Sequence, residues 1–265
     1  MVAAAHPDDE SLGFGGVLAR YAREGADTSL LTATRGDRGR YFGHPPGSPE
    51  HPGHAELGRI RERELREAAA ALGIGRVTLL EYEDQHLDAA DVAGAVGAIV
   101  SELRAVRPHV VLTFPPDGAY GHPDHIAICQ LTTAAIVAAA DPHFGSGAPH
   151  RVSKLYYLAW NARQWAAYQA AFKKLVSVVD GVERQANAWP DWALTTVIET
   201  GAWSKSVWRA VVCHQSQVAA SVLSRLAEAD RDAIWSSFSF YRAFSLVNGG
   251  RRVETDLFEG IDADE

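Results

Sequence analysis

Two four-residue motifs in this chain combine histidines and carboxylates around a proline. The first is His-Pro-Asp-Asp at residues 6–9, and the second is His-Pro-Asp-His at residues 122–125. Imidazole nitrogens and carboxylate oxygens bind zinc, and three protein ligands that leave a position open are typical of a catalytic site. Together the motifs supply enough ligands for one divalent metal, and the remaining side chains can serve as a general acid and a general base. The pair therefore indicates metal-assisted hydrolysis.

The first motif lies between a short apolar run at residues 2–5 and the first predicted helix. A turn between a strand and a helix can direct His6 and Asp9 to one point while Asp8 takes another direction. We therefore predict that His6 and Asp9 bind the metal and that Asp8 is the catalytic base. The alternative is that Asp8 or Asp9 caps the helix and that His6 is an ordinary turn residue.

The second motif follows an apolar segment at residues 110–114 and opens another predicted helix, so it reaches the same edge of the sheet. His125 is predicted to be the third metal ligand. His122 would stand beside the metal and protonate a leaving amine or stabilise an oxyanion. Asp124 either orients a ligand histidine or favours the helix N-terminus. A His-x-x-His spacing alone is more often structural, so that alternative stays open.

The segments around the motifs alternate between strand-like and helix-like patterns. This order predicts an α/β fold with a parallel sheet covered by helices on both faces. After residue 150 the pattern is less regular, and we interpret residues 150–265 as a continuation of one domain, 1–265, whose core is 1–140. The acidic end at 262–265 is predicted to be a solvated tail. Strands are predicted at 2–5, 28–34, 77–80 and 110–114, and helices at 11–24, 54–72, 91–106 and 123–139.

The composition bounds the class of protein. The chain has 265 residues, 47% hydrophobic and 22% charged, and its net charge of −8 argues against a nucleic-acid surface. The longest apolar run, at 136–140, is too short to span a bilayer. Cys129 and Cys213 suit a reducing compartment and are predicted to be buried thiols. With the first motif at residue 6 and no signal peptide before it, we expect a cytoplasmic protein without a membrane partner.

Two glycine-rich segments have other predicted roles. The glycines of residues 13–16 do not fit the dinucleotide-binding spacing, and we expect them to allow close helix–strand packing. Residues 35–52 form a long loop rich in glycine and proline, which carries Arg38. A loop of this length is a lid, a binding loop or a disordered segment. It either shapes the choice of substrate or lies on the surface without ligand contact.

The two metal motifs resemble those of the LmbE-like/PIG-L family of zinc-dependent N-acetylglucosaminyl de-N-acetylases. Further matches are Thr-Arg-Gly-Asp at residues 34–37 and a helix pattern over residues 61–73. Residues 107–111 look like the family's Arg-Pro-Asp-Val-Val with histidine in place of aspartate, and residues 214–217 match its late His-x-Ser-Gln. The resemblance covers residues 1–140 and this late segment.

The resemblance implies a Rossmann-like fold with the metal site at the C-terminal edge of the strands. It implies zinc, or iron in reducing cells, on the residues matching His6, Asp9 and His125, with a general base matching Asp8. An acid or oxyanion stabiliser matches His122. The relatives it indicates are the mycothiol- and bacillithiol-type deacetylases, and Tyr120 matches a tyrosine that approaches the reacting carbonyl in the mycothiol type.

The resemblance also implies substrate-binding residues. Arg61 matches an arginine that holds the sugar or its anionic aglycone, although without the resemblance an ion pair with Glu64 on the helix surface is an equal interpretation. Asp84 matches a sugar-hydroxyl ligand, but residues 81–87 depart from the family's pattern. Arg38 is added as a third candidate from the long loop. The late motif is interpreted as making tertiary hydrogen bonds.

These observations predict an enzyme, a metal-dependent amide hydrolase acting on linear C–N bonds. It would remove an N-acetyl group from an N-acetylglucosamine-type or related small-molecule amide and release acetate and a free amine. One alternative is a metal-dependent hydrolase of another bond, such as a phosphoester. The other is a catalytically inactive relative that binds an amino sugar. The expected partner is the small-molecule amide itself, and the sequence is compatible with a homo-oligomer.

Overall fold

The computed structural model describes residues 1–172, 176–179 and 181–262, so most of the predicted acidic tail lies outside the described residues. The strands are β1 (Val2–Ala4), β2 (Ser29–Thr34), β3 (Arg76–Tyr82), β4 (Val110–Thr113), β5 (Lys154–Leu158), β6 (Val176–Val179), β7 (Val182–Gln185), β8 (Thr196–Glu199) and β9 (Ser237–Ser245). The helices are α1 (Asp9–Arg23), α2 (His54–Leu72), α3 (Val92–Val106), α4 (Gly118–Gly121), α5 (Pro123–Ala139), α6 (Ala162–Phe172), α7 (Ser204–Val211), α8 (Gln215–Val218) and α9 (Glu228–Trp235).

The central sheet has seven strands in the order β3-β2-β1-β4-β5-β9-β8. Strands β1 to β5 are parallel, and β9 runs antiparallel to both β5 and β8. The chain moves outward from β1 on one side and from β4 on the other, so the strand order reverses between them. Ligands of open α/β sheets bind at such a switch point, outside the carboxyl ends of the strands. The first motif comes directly after β1, and the second comes after β4 and the short helix α4. The predicted α/β class is confirmed.

The strands that carry the motifs lie in the interior of the sheet. Every residue of β1, β2 and β4 is buried, as expected for parallel strands covered on both faces. Helix α1 approaches the sheet closely at Gly16. A Cβ atom there would lie 2.4 Å from a ring carbon of Phe238 on β9 and 2.8 Å from Thr200. The expected close helix–strand packing is therefore confirmed at Gly16, whereas a Cβ atom on Gly15 would lie closest to Val207 of helix α7, at 3.1 Å.

The second half of the chain differs in part from the expectation. Strands β5, β8 and β9 extend the main sheet, where the prediction specified only a continuation with covering helices. Cys129 is buried as predicted, but the prediction was wrong for Cys213, which is partly exposed, and both are free thiols. None of the helices in the described part of the chain has the length and apolar character needed to cross a bilayer.

Glu254 joins the three later strands of the sheet. The residue is 1% exposed, and its two side-chain oxygens contact five donors at 2.7 or 2.8 Å. Burial raises the pKa of this carboxyl, but its hydrogen bonds outweigh burial and lower the pKa from 4.5 to about 2. The donors are the side chains of Lys154, Tyr156, Thr196, Arg242 and Asn248.

Replacing Glu254 with glutamine is expected to lower the free energy of unfolding by about 3–5 kcal/mol, because buried Lys154 then lacks a carboxylate partner. Urea denaturation measures the change. Since folding lowers the pKa of Glu254, its stabilisation is present above about pH 4.5 and is lost as the pH falls toward 2. In the glutamine variant, the free energy of unfolding should lack this decrease between about pH 4.5 and pH 2. Glu228→Gln, at an exposed ion pair, should change stability by less than about 1 kcal/mol.

Candidate metal centre and active site

The turn after β1 fixes one predicted metal ligand through the backbone. The carboxylate oxygen Oδ2 of Asp9 accepts hydrogen bonds from the backbone N–H groups of Ala5 at 3.1 Å and His6 at 2.8 Å. Its other oxygen, Oδ1, faces Nε2 of His125 at 3.4 Å. One carboxylate oxygen therefore holds the turn together, and the other is directed at the second motif.

His6, Asp9 and His125 converge on one point. Nδ1 of His6 lies 3.3 Å from Nε2 of His125, and each residue offers a ligand atom within 4.8 Å of the others. Ligand atoms bonded to one tetrahedral zinc ion at about 2.0–2.1 Å are separated by about 3.3 Å. All three residues are more than nine-tenths buried. The spacing and the mixed nitrogen and oxygen donors fit a catalytic metal with three protein ligands.

Two carboxylates orient the His6 ring from behind. Nε2 of His6 lies 2.9 Å from Oδ2 of Asp124 and 3.2 Å from Oδ1 of Asp84. A proton on Nε2 satisfies these acceptors and leaves the lone pair of Nδ1 for a metal. Burial lowers the pKa of His6, but the hydrogen bonds to Asp124, Asp84 and Asp9 raise it well above its usual value.

A second group of donors, His6, His122 and Asp124, also lies close enough to hold an ion. Both oxygens of Asp124 already accept backbone N–H groups, from Gln85 at 2.7 Å and Leu87 at 3.1 Å. Asp124 is fully buried. Its carboxylate thus already accepts two backbone N–H groups and faces the His6 ring, which favours the interpretation of Asp124 as the residue that orients His6.

Asp8 has an unusual backbone conformation, and its carboxylate does not cap helix α1. Its φ angle of 111° is in the left-handed region that non-glycine residues rarely occupy. Within the described turn and helix α1 its side chain makes no capping hydrogen bond, so the capping alternative does not hold for Asp8. Burial raises the pKa of Asp8 to about 6 against the opposing charge of Arg61, and the charges of Asp9 and His6 also act on it. Its carboxylate therefore lies within electrostatic reach of His6 and Asp9, two of the predicted metal ligands.

Arg61 is buried rather than placed on the helix surface. It is 4% exposed, and Nη2 donates to Oδ2 of Asp8 at 3.0 Å and to the carbonyl of Pro7. Nη1 donates to the carbonyl of Gly36 at 2.7 Å. A Cβ atom on Gly36 would overlap this guanidinium, so glycine is needed there. The surface ion pair with Glu64 is therefore the wrong alternative, and Arg61 supports Asp8.

The other two predicted substrate-binding residues contact protein groups. Asp84 is 3% exposed, and its Oδ2 accepts the backbone N–H of Arg38 at 2.8 Å while its Oδ1 faces His6. The guanidinium of Arg38 pairs with Glu83. Asp84 thus lies behind the ring of His6. Roles of Asp84 and Arg38 in binding a sugar stay predictions.

His122 and Tyr120 lie beside His125, one of the predicted metal ligands. The ring of His122 stacks on that of His125 at 4.7 Å, and Nδ1 of His122 accepts the backbone N–H of Asp124 at 3.2 Å. Burial and the charge of His125 lower the pKa of His122 to about 4. With Nδ1 as an acceptor, the neutral ring carries its proton on Nε2 as a hydrogen-bond donor. The ring of Tyr120 lies 5.2 Å from that of His125.

Sequence reasoning missed the hairpin of β6 and β7, which covers the segment carrying Tyr120. Ser177 donates to the carbonyl of Tyr120 at 2.9 Å, and Arg184 donates to that of Gly121 at 3.3 Å. A Cβ atom on Gly121, whose φ is 76°, would overlap the Arg184 side chain. These contacts join residues more than 50 positions apart, and the sequence carries no local signal for them.

The long loop at residues 35–52 is attached to the late motif at residues 214–217. The backbone N–H of Phe42 donates to the carbonyl of Ser216 at 2.8 Å, and Gln217 donates to the carbonyl of Arg40 at 2.7 Å. The late motif therefore makes tertiary hydrogen bonds, as predicted. His214 in the same motif bonds to Glu10.

Comparison with known proteins extends the similarity over most of the chain. Residues 1–136 match the family described as PIG-L, GlcNAc-PI de-N-acetylase. The 1D-myo-inositol 2-acetamido-2-deoxy-alpha-D-glucopyranoside deacetylase of Rhodococcus jostii (strain RHA1) is 35% identical, with 97% of this chain and 96% of that protein covered. The protein of the same name from Streptomyces griseus is 34% identical, with 97% and 87% covered. The solved structure of the conserved protein TT1542 from Thermus thermophilus has a TM-score of 0.65 and 27% identity, covering 94% of this chain and 95% of that one.

Proposed function

Because the chain belongs to the GlcNAc-PI de-N-acetylase family, we propose that it is a zinc-dependent hydrolase of an N-acetylglucosamine-type glycoside. It breaks the C–N bond of the acetamide and releases acetate and a free amine. The observation that carries the proposal is the convergence of His6, Asp9 and His125 beside Asp8. The Rhodococcus and Streptomyces relatives are named for an acetamido sugar joined to inositol, which makes a glycoside of this kind the first candidate substrate.

His6, Asp9 and His125 hold the metal in this proposal. When bound, zinc polarises the acetamide carbonyl and lowers the pKa of a water molecule toward about 7. The carboxylates of Asp124 and Asp84 keep the His6 ring in place. Zinc fits the short, buried donor set, and iron is the alternative metal in reducing cells.

Asp8 is the general base in this mechanism. It accepts a proton as water attacks the carbonyl carbon, and Arg61 fixes the direction of its carboxylate. The Nε2–H group of His122 donates to the oxygen on which negative charge develops, with Tyr120 beside it. Asp8 then returns its proton to the nitrogen as the C–N bond breaks. Binding of the sugar by Arg61, Asp84 and Arg38 stays a prediction.

A substrate panel tests this function. Purified protein loaded with zinc should release acetate and a primary amine in equal amounts from an acetamido-glucose inositol glycoside or from other N-acetylglucosamine glycosides. A chromogenic phosphoester should stay intact under the same conditions. Phosphoester cleavage without acetate release would overturn the proposal in favour of the other hydrolase. Tight binding of an amino sugar without turnover would instead favour an inactive relative.

A further inference from the structure

Glu10 and His214 form a buried pair that the mechanism above does not use. Both side chains are fully buried, and Oε1 of Glu10 lies 2.6 Å from Nε2 of His214. The two residues are 204 positions apart in the sequence. Ser11 donates to the same oxygen at 2.6 Å. A carboxylate held this firmly inside the protein is fixed in position.

The other oxygen of Glu10 reaches the backbone of the proposed base. Oε2 of Glu10 accepts the backbone N–H of Asp8 at 3.0 Å. Asp8 is the residue with a φ of 111°, a conformation that persists only where surrounding contacts determine it. Arg61 holds the side chain of Asp8. Glu10 therefore holds the backbone of Asp8, and Arg61 holds its carboxylate.

His214 connects this pair to the rest of the site. It opens the segment 214–217, in which both the backbone N–H and the hydroxyl of Ser216 donate to Glu64 on α2, at 2.8 and 2.7 Å. Glu64 follows Arg61 by one turn of that helix. The segment thus links the turn after β1, helix α2 and the long loop, and it gives Glu10 a rigid anchor.

We propose that Glu10, anchored by His214, is a positioning residue that holds Asp8 in its left-handed conformation, so that its carboxylate is aligned for proton transfer. This inference rests on the proposed function for its catalytic consequence. Its geometric part, the hydrogen bond from the Asp8 amide to Glu10, stands independently of any substrate.

Replacing Glu10 with alanine is expected to lower kcat by about 100-fold, with KM and bound zinc unchanged, because a small displacement of a catalytic group has an effect of this size. Glu10→Gln should recover most of kcat, since its carbonyl can still accept the Asp8 amide and its NH₂ group can face His214. Glu102→Ala is the matched control. Glu102 is a buried carboxylate on α3 that pairs with Arg76, and its loss should leave kcat unchanged.

Hydrogen–deuterium exchange of the Asp8 amide supplies a measurement without substrate. The Asp8 amide should lose its protection from exchange in Glu10→Ala and keep it in Glu10→Gln and Glu102→Ala.

Should Glu10→Ala not fold, Glu10→Asp replaces it in the test. Aspartate keeps the charge beside His214 but is one methylene too short to reach the Asp8 amide as well, so the same losses of kcat and of protection are expected. Equal losses of kcat in the alanine and glutamine variants, or unchanged exchange at Asp8, would overturn the inference. A wild-type protein inactive on the whole panel would reject the proposed function, while the exchange experiment would still test Glu10.

Discussion

Replacing Asp8 with asparagine is expected to lower kcat by about 1,000-fold while the protein keeps its metal. Asparagine has the same shape, tolerates the left-handed backbone and can accept the hydrogen bond from Arg61. It cannot take a proton from the attacking water, and loss of a general base has an effect of this order. Acetate release measures kcat, and mass spectrometry of the purified protein measures zinc.

The control for this variant is Asp27→Asn, an exposed aspartate before β2, which should leave both kcat and zinc content unchanged. Loss of zinc in the Asp8 variant would contradict the assignment of Asp9 as the ligand and Asp8 as the base. Because the two aspartates are adjacent, only their separate contacts distinguish them. Asp9 reaches His125, and Asp8 reaches Arg61.

The sequence predicts the elements around the motifs because their ends carry clear signals. Helix α2 is terminated by Gly73, the residue after its last one, whose φ of 79° suits glycine. Helix α5 begins at Pro123, and proline is favoured at the first helical position. Both helices have the predicted bounds, 54–72 and 123–139. Strands β5, β8 and β9 were not predicted individually, because their pairing depends on contacts far apart in the chain.

For the candidate site, the sequence reveals the residues that lie within two short motifs. The family resemblance, the α/β class and the N-deacetylase class of enzyme are confirmed. The contacts that orient these residues come from elsewhere. His6 meets Asp124 across 118 positions, and Glu10 meets His214 across 204. Such pairs have no local pattern, so the supporting residues become visible only in the fold.

Replacing His125 with alanine is expected to reduce bound zinc from one ion per chain to nearly none and to abolish turnover. His125 provides the nitrogen that lies 3.3 Å from His6 and 3.4 Å from Asp9, so its loss leaves two ligands for the ion. Added zinc should raise the Tm of the wild type, because a ligand that binds only the folded protein stabilises it. The same addition should leave the Tm of the variant unchanged.

The matched control for this variant is His150→Ala. His150 is also buried, but it bonds to the carbonyl of Pro108 at the opposite edge of the sheet, before β4. Its loss should lower stability without lowering zinc content. A His125 variant that retains one zinc per chain would show that the ion binds the alternative group of His6, His122 and Asp124. Asp124 would then be a metal ligand as well as the acceptor of the backbone N–H groups of Gln85 and Leu87.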